Sequence, residues 1–167
     1  MKNTKHRATG FTMIELLVTM IVLAIGLIGM AGLQAAGLKS NTDALKRTQA
    51  SLLMSDIIDR IRVNPDSNYS IAKTSSPPSA GLTCEASGAN CSSTDIVNYD
   101  LAMWKCNVGS YDKEGTCQTL GIVGALPKGT ASISISADNI YTVEVEWVDS
   151  VNRNGEQLVS LSMSTKV

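Results

Sequence analysis

Gly10-Phe11-Thr12-Met13-Ile14-Glu15-Leu16-Leu17-Val18 opens the run whose reading decides the fold. Glu15 is a single carboxylate at the head of an apolar stretch, and from Leu16 to Leu38 no side chain is ionisable. Those 23 residues make roughly 35 Å of helix at about 1.5 Å per residue, enough to cross the ~30 Å hydrocarbon core of a bilayer. Just upstream, Lys2, Lys5 and Arg7 form a basic leader with no acid. A carboxylate within an apolar helix is costly and calls for a partner. An amine would serve. A cut after Gly10 would turn the nitrogen of Phe11 into a cation one helical turn from Glu15, or near the Glu15 of an adjacent copy, and pairing would lower the cost of burying both.

Two simpler readings compete. A secretory signal peptide would be cut after a small residue such as Ala31 or Ala36, but its apolar region spans about 7 to 15 residues. This run is longer, contains Glu15 and continues into a helical pattern. An uncut single-span anchor would leave Gly10-Phe11 beside the acid unexplained.

The leader holds three of the 14 basic residues, so a chain starting at Phe11 keeps 11 against 15 acidic ones, a side-chain charge of −4. That balance disfavours nucleic acid as a partner. The leader charges favour a cytoplasmic N-terminus, although Lys39, Lys46 and Arg47 flank the far end of the span. Cys84, Cys91, Cys106 and Cys117 all lie beyond the span, as expected for two disulfides in an oxidising periplasm. Of the three possible pairings, short separations favour Cys84 with Cys91 and Cys106 with Cys117.

Beyond the span, Leu38, Thr42, Leu45, Gln49 and Leu52, then Leu53, Ile57 and Ile61, recur at helical spacing, which carries the helix to about Val63, where Asn64-Pro65 ends it. Its apolar stripe needs a sheet to cover it. Within the span, Gly26, Gly29 and Gly32 either allow close helix packing in lipid or reflect the composition of membrane helices. Residues 65–92, rich in Ser, Pro, Gly, Ala and Asn, read as a surface connection. Ser93 or Thr94 can cap a short helix carrying Val97, Leu101 and Trp104, the tryptophan as a core anchor.

Three alternating runs follow: Ala131 to Ala137, Tyr141 to Trp147, and Val159 to Met163. With turns at Asp138-Asn139 and between Asp149 and Glu156, they predict an antiparallel meander. The fold class is therefore α+β: a long N-terminal helix on a small antiparallel sheet. The expected divisions are a cleaved leader at 1–10, a transmembrane and assembly half of the helix at 11–38, an amphipathic outer half at 39–64 and a periplasmic globular domain at 65–167.

Catalytic patterns are missing. The one histidine, His6, lies in the leader, so a processed chain has no Ser-His-Asp or Cys-His site and no histidine metal ligand. No Cys-x-x-Cys pair is present. Ser150-x-Asn152-x-Asn154-Gly155 has the start of a calcium loop, but the twelfth position is Leu161, so it reads as a hairpin turn. Glu144 and Glu146 fall on the polar face of a strand, where solvation accounts for them. An enzyme is not expected, nor is a cofactor or a metal.

The stretch from Gly10 to Val18 resembles the N-terminal signature of type IV prepilins, with Met13 where that family usually has Leu. The resemblance implies cleavage between Gly10 and Phe11 by a prepilin peptidase, a membrane aspartyl protease that also N-methylates Phe11, and makes Glu15 the carboxylate that sets register in assembly. Further along, Ile25 to Gln34, Asp59-Arg60-Ile61-Arg62-Val63-Asn64-Pro65, Asp100-Leu101 with Trp104, Leu126-Pro127-Lys128-Gly129 and Tyr141 to Trp147 resemble the PilV minor pilins, the type IV pilus modification proteins. Val63 stands where Ala is usual there, and Lys128 where Gly is frequent.

That likeness implies an accessory subunit, anchored in the bacterial inner membrane with its C-terminal domain in the periplasm and later built into the surface filament. It would prime assembly with other minor pilins, the major pilin and the inner-membrane assembly platform, and support a tip adhesin, adhesion and twitching. The alternative is a pseudopilin of a type II secretion system, which uses the same N-terminal chemistry.

Overall fold

The computed structural model describes residues 10–81, 83–86, 88–110, 112–152 and 155–167. The basic leader, with Lys2, Lys5, His6 and Arg7, and the Asn154 position of the calcium-like pattern lie outside the described residues. In chain order the elements are α1 (Met13–Val63), α2 (Ser93–Val108), α3 (Thr116–Thr119), β1 (Thr130–Ile135), β2 (Ile140–Asn152) and β3 (Gly155–Lys166). The chain divides into two compact units, one ending at Thr42 and the other starting at Asp43.

α1 stops where the sequence says it should. The Asn64 amide donates to the carbonyls of Arg60 and Ile61, and Pro65 has no N–H with which to continue. Its buried face is a different matter. Ala50, Met54, Ile57, Ile58 and Ile61 enter the core, whereas Leu45 and Leu52, read from the sequence as part of the covered stripe, are 57% and 65% exposed. The outer part of α1 thus carries two apolar faces, and periodicity alone does not say which one the sheet covers.

The sheet is antiparallel in the order β1-β2-β3. Ala131, Ile133, Tyr141, Val143, Val145 and Trp147 turn one face towards the α1 stripe and towards Val97, Leu101, Trp104 and Val108 of α2. Trp104 anchors the core as expected: it is 1% exposed, and its indole Nε1 donates to the Leu53 carbonyl at 2.9 Å, tying α2 to α1. At about 25 cal/mol per Å² over ~150–250 Å², each of the two buried tryptophans contributes about 4–6 kcal/mol.

Ser92, not Ser93 or Thr94, caps α2, in a reciprocal capping box with Asp95. α2 also runs further than expected, to Val108, and closes on Gly109 at φ 102°. There the 124–129 loop lies against the helix end: a Cβ on Gly124 would sit 2.1 Å from the Gly109 Cα. Asn139, at φ 58°, makes the expected turn between β1 and β2. The segment from Asp149 to Glu156 is not the loop that the sequence suggested. β2 and β3 stay paired to Asn152 and Gly155, with a register shift between Val148 and Ser150. A bulge lets the strands re-pair beyond the break in apolar alternation.

Residues 65–92 are not simply a surface connection either. Tyr69 and Pro77 are buried, and Ile71 forms a two-bond bridge with Ile133 on the outer edge of β1. Buried backbone needs donors for its carbonyls. Lys105 supplies them: fully buried, its ammonium donates to the carbonyl oxygens of Ala72 (2.9 Å), Lys73 (3.4 Å) and Ser75. Burial pushes its pKa down to about 8.

Candidate assembly site

The segment from Gly10 to Glu15 is arranged by its own local chemistry. Thr12 caps α1: its carbonyl accepts from the amides of Glu15 (3.1 Å) and Leu16 (3.3 Å), and its Oγ1 lies 3.4 Å from the Glu15 amide. Thr12-x-x-Glu15 has the spacing of a capping box, and Glu15 sits in the first turn, where a carboxylate complements the positive end of the helix dipole. Glu15 therefore has a local role in the single chain, beyond the partner role read from its apolar surroundings. Gly10 and Phe11 precede the helix in irregular backbone, and Phe11 is 84% exposed.

Behind this cap, every described residue of the first unit is exposed, including Leu16, Leu17, Val18, Ile21, Ile25 and Leu33. The Thr19 hydroxyl donates to the Leu16 carbonyl at 2.8 Å, so that polar group is satisfied within the helix. An uncharged helix of this length, exposed all round, needs lipid or other helices about it. A Cβ added at Gly26, Gly29, Gly32 or Gly37 meets nothing within 4 Å. Among the described residues no contact requires these glycines; they leave shallow places on an open surface.

In the second unit both disulfides form as the short separations favoured, Cys84–Cys91 and Cys106–Cys117, with Cα–Cα distances of 5.8 and 5.2 Å. Among the described residues no group of three or more His, Cys, Asp or Glu side chains converges as a metal site would. In the calcium-like pattern, the Ser150 hydroxyl donates to the Gln157 side-chain oxygen across the hairpin. Glu144 and Glu146 are not merely solvated. Both accept from the Lys73 ammonium at 3.3 Å, a pairing across 71 and 73 residues that no local pattern announces.

The end of α1 and the middle of α2 meet in space. Arg60, at the end of α1, donates to Asp100 of α2 at 2.7 Å, and the Tyr69 hydroxyl donates to the same carboxylate at 2.8 Å. Asp100 is only 7% exposed, and burial together with this bond raises the Tyr69 pKa. The Leu126-Pro127-Lys128-Gly129 loop clasps both neighbours: Leu126 donates to the Val108 carbonyl, and Val148 donates to the Pro127 carbonyl at 2.9 Å.

The first unit is an exposed apolar helix headed by a lone carboxylate, and the second is a small disulfide-bonded α+β domain. Residues 5–31 match the family model described as the prokaryotic N-terminal methylation motif, and residues 32–102 match the one described as type IV pilin Tt1218. The chain is a type IV pilin-like protein, of a family that is structural and not enzymatic. No curated protein and no solved structure gives a match.

Proposed function

We propose that this chain is a minor subunit of a type IV pilus, made as a prepilin. A prepilin peptidase cuts between Gly10 and Phe11 and methylates the new Phe11 nitrogen. Until assembly, residues 11–38 hold the chain in the bacterial inner membrane with the domain from 65 onward in the periplasm, and residues 39–64 join the two. On assembly the helix leaves lipid to pack among the helices of other minor pilins and the major pilin at the assembly platform. Little hydrophobic energy changes in that exchange, because lipid and neighbouring helices are similarly apolar.

Direction and register then fall to Glu15. Its carboxylate pairs with the α-amine of an adjacent subunit, an interaction that is costly to leave half-made in apolar surroundings. The outer domain supplies shape. Its likeness to minor pilins that prime assembly near the filament tip and support an adhesin rests on several motifs, two of which are joined by the Arg60–Asp100 pair. The observation that carries the reading is the fully exposed apolar helix with Gly10-Phe11 ahead of its cap and Glu15 in its first turn.

The test is the intact mass and N-terminal sequence of the chain purified from its own membranes, followed by sheared surface filaments. A start at Phe11 with one added methyl group, and the chain among the filaments, is expected. A start at Met1, or near Ala31 or Ala36, would remove the amine proposed as the Glu15 partner and overturn the mechanism. Correct processing with loss of secreted enzymes on deletion, and with twitching intact, would reassign the chain to a secretion system.

A further inference from the structure

The start of the 65–92 segment and the first turns of α2 enclose a cleft of about 510 Å3, within the range of roughly 300–1,000 Å3 usual for small-ligand sites. Its floor is apolar, formed by Ile71, Val97 and Leu101. Its rim is polar and nearly uncharged. Ser70, Ser93, Thr94 and Asn98 stand around the floor, and Asp66 is the one ionisable side chain among the lining residues. The neighbouring cleft between α1 and α2 is of another kind, since Asp56, Asp59, Arg60 and Asp100 line it.

The rim is held in place before any ligand arrives. The Tyr141 hydroxyl donates to the Ser67 carbonyl at 3.1 Å, the Ser70 amide donates to the Asn68 side-chain oxygen at 2.8 Å, and Ile71 is tied to Ile133 by two main-chain bonds. Buried Tyr69 pins the same stretch to Asp100, and the Ser92–Asp95 capping box fixes the start of α2. Yet among the described residues the hydroxyls of Ser70 and Thr94 and the side-chain amide of Asn98 make no hydrogen bond, and Ser70 and Thr94 are exposed. A backbone so anchored, carrying polar groups that the fold does not use, asks little ordering of itself when a ligand binds.

The chemistry of the lining selects the ligand. Hydroxyls and a carboxamide each donate and accept, as sugar hydroxyls do. With no Lys, Arg or His among the lining residues, an anion gains no counter-charge. A wholly apolar ligand would strip water from the rim groups without replacing it. A peptide strand would need a free main-chain edge, and Ile71 has already committed its N–H and C=O to Ile133. We propose that this cleft binds a neutral saccharide unit, a hexose or N-acetylhexosamine, with ring hydroxyls on Ser70, Thr94 and Asn98 and a face of C–H groups over Ile71, Val97 and Leu101. The cleft lies wholly within the second unit, so binding there does not depend on entry into a filament.

Amide NMR of the full chain, in a detergent without a sugar headgroup, tests this during titration with glucose, galactose, N-acetylglucosamine and N-acetylgalactosamine, with glycerol as the control polyol. A saturable shift of the amides of residues 66–71 and 93–98 is expected with at least one sugar, at roughly millimolar concentration, as for a ligand of this size. Thr94→Val and Asn98→Leu, which nearly keep shape but remove the polar groups, should each weaken binding roughly 3- to 10-fold. Near-ultraviolet circular dichroism identical to wild type establishes that each variant keeps its fold, and Ser70→Ala replaces any that does not. A shift with no sugar, shifts no different from those with glycerol, or an affinity unchanged in the variants would overturn the proposal.

Discussion

Replacing Lys105 by methionine removes a fully buried ammonium while nearly preserving its volume. Three carbonyls, those of Ala72, Lys73 and Ser75, then lose their donor. Hydrogen bonds to a charged group contribute about 1.5–3 kcal/mol each, so the gross loss is about 6 kcal/mol. Against this, burial holds the ammonium at a pKa of about 8 instead of 10.5, a penalty of about 3 kcal/mol that the variant no longer carries. The net expectation at neutral pH is a destabilisation of about 3 kcal/mol, or roughly 10 °C in the melting temperature of the outer domain.

The pH dependence gives an independent arm. A lysine whose pKa is depressed in the folded state binds fewer protons there than in the unfolded chain between about pH 8 and 10.5, so its contribution makes stability rise with pH across that window. The difference between wild type and Lys105→Met should therefore widen from pH 8 to pH 10.5. Thermal melts of the full chain in detergent, followed by near-ultraviolet circular dichroism, report both arms, and amide hydrogen exchange at residues 71–76 reports the loop. A melting temperature lowered by under about 3 °C, with exchange at those amides unchanged, would show that water replaces the ammonium without loss and refute the reasoning.

Three further outcomes are expected. Asp100→Ala strands the Tyr69 hydroxyl and leaves Arg60 with only its Asp56 partner, and should cost about 2–3 kcal/mol in chemical denaturation, whereas Tyr69→Phe should cost about 1–2, and the double variant less than their sum. Gly124→Ala drives a methyl to within 2.1 Å of the Gly109 Cα and should lower the melting temperature by several degrees; Gly26→Ala, which meets nothing in the single chain, should leave it unchanged. Under the proposed function, Glu15→Ala keeps cleavage but loses incorporation, read as the ratio of filament-bound to membrane-bound chain; a normal ratio would remove the register role.

The features legible in the sequence are those that depend on neighbours along the chain. Twenty-three uncharged residues after Glu15 make a helix suited to lipid whatever the rest of the protein does, and Asn64-Pro65 stops it by removing a donor. Alternation of apolar residues sets the three strands, and short separations set the two disulfides. Even the Thr12-x-x-Glu15 cap is a local pattern, set by two residues three apart.

Tertiary structure decided what depends on distant packing. Leu45 and Leu52 have the same helical period as Met54 and Ile61, and only the sheet determines which face is covered. Lys105 looks like a surface lysine at the end of a helix until residues 72–75 fold over it, and Lys73 then reaches Glu144 and Glu146 across more than 70 residues. The extra length of the β2–β3 hairpin comes from a bulge, which local alternation reads as a break. In each case a local pattern allows two or more burials of similar energy, and contacts made far along the chain select one of them.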